Sequence, residues 1–243
     1  MFEGLGVSVM DYLVVSLVFL VYVVRNYLRH RHMRDRMDSG EDGILILEYK
    51  DTLIILWGGA VLVMAIWLLS GRTLADMGLT IGDSTAHLVG WIVVAALSLV
   101  LAAQVQTIGR NPKSAEAIRT ALESEPGVLR FLPKTKQEYA WFKVLSVTAG
   151  VTEEIIFRGY LIWFFALWLP LWWAALVALA FFVAAHLYQE SAKSLVKVAA
   201  IGAFLTIVYV LSGSLLAAIV LHAVVDLTSG ASVRKALNSA QPT

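Results

Sequence analysis

The chain has no cysteine in its 243 residues, which excludes disulfides, thiolate metal ligands and a cysteine nucleophile. Charge is scarce too. Only 15% of residues are Asp, Glu, Lys or Arg, and a net charge of +1 provides no electrostatic footprint for nucleic acid, so no nucleic-acid partner is expected. Internal repeats and low-complexity tracts are absent, and there are five prolines. What is abundant is apolar material: 59% of the residues are hydrophobic and the mean hydropathy is +0.75, more than a soluble core of this size needs.

The apolar residues come in blocks long enough to cross a bilayer, at about 7–24, 52–69, 86–105, 139–168, 171–188, 194–211 and 214–230. They predict an all-α, polytopic membrane helix bundle of about seven transmembrane helices. Glu3 precedes the first block where a signal peptide would carry basic residues, and no small-residue cleavage site stands before Arg25, so a retained anchor is expected. The chain divides into N-terminal spans and loops (1–134), a helical core (135–230) and a short cytoplasmic tail (231–243).

Sixteen of the nineteen Lys and Arg residues lie in loops 25–51 and 106–138 or beside the later helices at Lys193, Lys197, Arg234 and Lys235, against Arg72 alone in the opposite loops. By the positive-inside rule the N-terminus is then outside and the C-terminus cytoplasmic. Trp163, Trp168, Trp172 and Trp173 cluster around Pro170, as an aromatic belt at the outer face does. Segment 29–50, dense in charge of both signs, reads as a solvated connector. In loop 106–138, Asn111 is placed to cap a short helix with Pro112 at its first position, Ala115, Ile118 and Leu122 repeat at helical spacing, and Pro126-Gly127 ends it. That helix is expected on the cytoplasmic surface, as a connector or as a substrate gate.

Ionisable residues inside the apolar blocks cost about 3 kcal/mol each on insertion scales and mark functional sites. The densest group is Glu153-Glu154-x-x-x-Arg158, in a run from Val144 to Leu169 that is otherwise almost wholly apolar. On a helix, positions four apart share a face, so Glu154 and Arg158 are expected to pair while Glu153 points elsewhere. A paired Glu154 is structural; an unpaired Glu153 suits a general base. His186 lies near the cytoplasmic end of the fifth span with Phe182 one turn before it, and His222 and Asp226 lie one turn apart on the seventh. His30, His32 and His87 fall in loops or at a span's edge and have no assigned role. Three other readings use the same side chains: a charge network that locks helices together, a proton or ion pathway, and a non-catalytic membrane scaffold that retains the buried Glu and His residues.

These residues resemble the CAAX-protease and bacteriocin-processing (CPBP, or Abi) membrane proteins, which include the type II prenyl endopeptidases. Glu153-Glu154-Ile-Ile-Phe-Arg158 matches EExxxR, Phe182-Val-Ala-Ala-His186 matches FxxxH, and His222-Ala-Val-Val-Asp226 matches the last histidine motif. Three motifs in order over residues 135–230 make the resemblance specific; a weaker likeness covers Arg72 to Leu79. It implies an intramembrane glutamic endopeptidase in which Glu153 and His186 activate water and His222 with residue 226 holds the oxyanion. It further implies Glu154, Arg158 and Phe182 in supporting positions, a membrane protein or a lipidated or peptide substrate, no cofactor, and a bacterial inner (plasma) membrane.

The prenyl endopeptidase pattern has asparagine where this chain has Asp226. A carboxylate does not donate a hydrogen bond unless protonated, so Asp226 is expected to orient His222 and leave that imidazolium as the donor. Signatures of other membrane proteases are missing: there is no HExxH, no GxSG and no GxGD. A metal reading through Glu153, His186, His222 and Asp226 stays open beside the glutamate one.

Overall fold

The computed structural model describes residues 6–82 and 84–239; Glu3 and the last four residues of the expected tail lie outside the described residues. Among the described residues nine helices carry the fold. They are α1 (Val9–Asp38), α2 (Ile44–Leu69), α3 (Thr85–Arg110), α4 (Pro112–Glu123), α5 (Pro126–Phe131), α6 (136–166), α7 (Leu171–Ala184), α8 (Ala192–Ser212) and α9 (Leu215–Asn238). No strand occurs among the described residues. Six of the segments, α1, α2, α3, α8, α9 and the stretch Leu171–Gln189 that contains α7, are long and apolar enough to cross a membrane. The seventh expected span coincides with α6, which is helical throughout but holds Glu153, Glu154 and Arg158 in its middle.

Apolar side chains face outward along the bundle, Leu69 at 84% exposure and Leu99 at 73%, as the lipid-facing side of a membrane helix requires. The protein is an integral membrane helix bundle. Its centre is α6: α2, α7 and α9 pack around it, and every residue from Glu154 to Phe164 is buried. Close approach to α9 depends on Gly150, where a Cβ would lie 2.8 Å from the backbone nitrogen of Ala223. Any larger residue there would push apart the two helices that carry Glu154 and His222.

The first span was expected to end at 24, yet α1 continues to Asp38, and only 39–43 connects it to α2. Side chains from distant parts of the chain stabilise this extension. Arg25 pairs with Asp51 at 2.9 Å, Arg29 with Glu48 at 2.9 Å, and Met33, Met37 and Ile44 form a small apolar cluster against Phe131. Segment 29–50 is therefore mostly helix, and His30 within it is buried. The 106–138 loop holds the expected helix, α4, whose cap is the Asn111 carbonyl oxygen accepting from the Lys113 N–H at 3.0 Å. It ends at Glu123, and Pro126 starts a further short helix instead of closing this one.

At the opposite end of the bundle, Arg72 forms a buried pair with Asp11, with nitrogen–oxygen distances of 2.9 and 2.6 Å. The Tyr160 hydroxyl donates to the same Asp11 at 2.7 Å, and the guanidinium lies 3.9 Å from the Trp163 ring centroid. This knot ties α1, the loop after α2 and α6 together. It also gives Arg72 a partner inside the bundle.

Candidate active site

Helix α6 changes character at the motif. Lys136–Glu153 is regular α-helix, Glu154–Leu161 is π-helix, and the regular form resumes at Ile162. A π-turn pairs i with i+5 and is concentrated at functional sites, because the widened turn re-aims the side chains around it. A second π-segment, Phe19–Arg25 in α1, faces the first one, with Tyr22 against Phe157 at 6.1 Å between ring centroids.

Glu154 and Arg158 pair as their spacing predicts, at 2.8 Å, with both side chains out of contact with solvent. The remaining guanidinium donors go to α8: Nη2 to the Gly202 carbonyl at 2.9 Å and Nε to the Thr206 hydroxyl at 3.4 Å. Its flat face rests on Phe182, 4.2 Å from the ring centroid. Phe182 thus bridges the two motifs, since its ring is also 4.7 Å from that of His186.

The carboxylate of Glu154 has a second partner. His222 Nδ1 lies 2.7 Å from the same Oε1 that receives Arg158, and because a carboxylate only accepts, Nδ1 carries the hydrogen. Asp226 Oδ2 is 3.7 Å from His222 Nε2, beyond hydrogen-bond length. Asp226, expected to orient this ring, thus stands within ion-pair distance of Nε2, while Glu154 hydrogen-bonds His222 at Nδ1. No sequence spacing signals this contact, which joins residues 68 positions apart.

His186 follows the end of α7. Its Nδ1 donates to the Phe182 carbonyl at 2.8 Å, since a carbonyl only accepts, and this leaves Nε2 as the free ring nitrogen. Glu153, His186, His222 and Asp226 all line one cavity of about 320 Å³. Glu153 contributes a buried Oε2 with no hydrogen-bond partner among the described residues. Glu154 also has an unpartnered Oε2, so the two adjacent glutamates differ in that Glu154 is held through Oε1 by Arg158 and His222 while Glu153 lines the cavity.

The cavity is two-sided in chemistry. Around Glu153 it is apolar and aromatic, with Tyr22, Leu56, Ala149, Phe157 and Phe182; toward the basic-loop end it is polar, with Arg25, Arg29, Glu48, Asp51 and Gln189. The α1 and α2 contributions went unnoticed in the sequence, where Tyr22, Arg29 and Glu48 share no spacing with any motif. Among the described residues no group of three or more His, Asp or Glu side chains is arranged to hold a metal ion.

No curated protein and no solved structure matches the chain. A family model does match, described as Rce1-like, type II CAAX prenyl endopeptidase, over residues 135–228. That range begins at the N-cap of α6 and includes all three motifs and every side chain of the Glu154 network. Over these residues the helical core of this protein is accordingly similar to the Rce1-like family of type II CAAX prenyl endopeptidases.

Proposed function

We propose that this protein is an intramembrane endopeptidase that hydrolyses a peptide bond of a membrane-associated protein or peptide, using water activated by Glu153 and His186. The observation that carries the reading is the cavity itself: an unpartnered carboxylate oxygen of Glu153, His186 and His222 converge on one space within the segment the family covers. Water in that space lies between a carboxylate able to take its proton and His186 Nε2 able to orient it.

The steps balance as follows. Glu153 removes a proton as the water oxygen bonds to the scissile carbonyl carbon, giving a tetrahedral oxyanion. His222, held by Glu154 at Nδ1, presents Nε2–H to that oxyanion as an imidazolium, with Asp226 beside it. The carbon–nitrogen bond then breaks, the leaving nitrogen takes the proton held by Glu153, and the proton of the new carboxylic acid passes to the amine, so a carboxylate and an ammonium are released. Arg158 acts through Glu154, which it fixes, and Phe182 fixes His186 while forming part of the cavity wall.

The polar end of the cavity lies on the side of the basic loops, which supports access from the cytoplasmic face of a bacterial inner membrane, with the N-terminus outside. The test is cleavage of a membrane peptide by detergent-purified protein in heavy-oxygen water. One heavy oxygen should enter the new carboxylate, and Glu153→Ala and His186→Ala should each abolish the product. Undiminished cleavage by Glu153→Ala would contradict the assignment.

A further inference from the structure

The turn around α5 borders the polar end of the cavity, where Val128, Phe131 and Leu132 form part of the wall. The apolar ties of this turn run through Phe131, which meets the cluster of Met33, Met37 and Ile44 and the rings of His30 and Tyr188. Of residues 124–132 only Glu125 and Gly127 are buried. Its other anchors are polar, and their partners sit on three different helices and the loop after α7.

Glu125, 4% exposed, receives the Ser191 hydroxyl at 3.1 Å, the Ser194 hydroxyl, and the Lys197 ammonium at 2.6 Å. It lies against the first turn of α8, where free N–H groups and the helix dipole favour a carboxylate. Arg130 reaches Asp38 of α1 at 2.6 and 3.1 Å and Glu190, in the loop after α7, at 3.5 Å. The Tyr49 hydroxyl of α2 donates to the Phe131 carbonyl. Underneath, a Cβ on Gly127 would stand 2.3 Å from the Gln189 carbonyl oxygen, so α5 rests directly on the turn that follows His186.

An element with polar anchors and little buried apolar surface opens locally while the rest of the fold stays closed. We propose that residues 124–132 form a lid over the cavity, latched by Glu125 and Arg130, whose opening controls access to Glu153. The latch contacts all cross from the lid to other elements, so breaking them frees the lid without removing any contact within α6, α7 or α9. Glu154 and His222 keep their own network.

The absence of cysteine allows a test that needs no substrate. Ala149→Cys places one thiol in the cavity wall, and Ala175→Cys places one in the core at the far end of α7. Labelling by a hydrophilic maleimide is measured in detergent for each reporter, with and without Glu125→Gln and Arg130→Gln together. The lid predicts labelling at position 149 faster by about tenfold or more in the latch variant, with position 175 unchanged. Equal rates at 149 would show that the turn does not close the cavity, and a parallel rise at 175 would show general loosening; either overturns the proposal. Hydrogen exchange on the unsubstituted protein gives a second check, in which residues 124–132 must exchange faster than α6, α7 and α9, and equal protection refutes the lid. Both readouts are independent of proteolysis, so they stand or fall apart from the cleavage reading.

Discussion

Replacing each of the two adjacent glutamates by its uncharged isostere should give opposite results. Glu154→Gln keeps the shape of the side chain but removes the charge that balances Arg158, whose guanidinium is buried among Gly202, Thr206 and Phe182 with no route to solvent. Removing one partner of a buried ion pair costs about 3–5 kcal/mol, and here the same atom also receives His222. For a chain of this length 1 kcal/mol moves the melting temperature by about 2–4 °C, so Glu154→Gln should melt about 6–20 °C lower. Glu153→Gln loses no ion pair or hydrogen bond at its buried Oε2, and it should melt at or above the unsubstituted protein while losing activity. Tryptophan fluorescence in detergent follows both transitions. Equal losses of stability in the two variants would refute the division between a locked and a working carboxylate.

Four further outcomes follow from the same contacts. Asp11→Ala should destabilise by about 3–5 kcal/mol, because it strands Arg72 and the Tyr160 hydroxyl, and a change under 1 kcal/mol by thermal unfolding would contradict the knot. Cysteines at Ser39 and Ser124 should be shielded from an impermeant thiol reagent in intact cells while one at Ser84 reacts; the reverse pattern would invert the topology. Activity should survive prolonged chelation, and Asp226→Asn should keep more activity than Asp226→Ala because the amide donates a hydrogen bond; metal-restored activity with both variants dead would make Asp226 a ligand. At Glu125, the Lys197 ammonium with the Ser194 and Ser191 hydroxyls holds the carboxyl below the usual carboxylate range. With the folded value depressed, its contribution is complete above the unfolded value of about 4.3 and is lost as pH falls through the folded one. Protection of 124–132 should thus be flat from neutral pH down to about 5, and a decline beginning near pH 7 would show another group in control.

The parts of the fold legible in the sequence are those set by local pattern. Apolar blocks marked the spans, Asn111-Pro112 marked a helix start, and the four-residue spacing of Glu154 and Arg158 placed them on one face even though the helix widens there. Contacts made by tertiary packing were hidden. Helix α1 runs on to Asp38 because Asp51, Glu48 and Phe131 meet residues that look like a charged connector in isolation. Asp11 gave no signal, since its partners Arg72 and Tyr160 come from 61 and 149 positions away. The link from Glu154 to His222 was hidden for the same reason, and it adds a second carboxylate to Asp226 beside that ring.

The central claim is that Glu153 drives hydrolysis of membrane-associated protein, and the most direct measurement compares the membrane proteomes of cells carrying the unsubstituted protein and Glu153→Gln at equal abundance. The account predicts uncleaved precursors that accumulate only with Glu153→Gln and again with His186→Ala, each missing the same new terminus. Identical proteomes, or precursors that are still cleaved by Glu153→Gln, would contradict it.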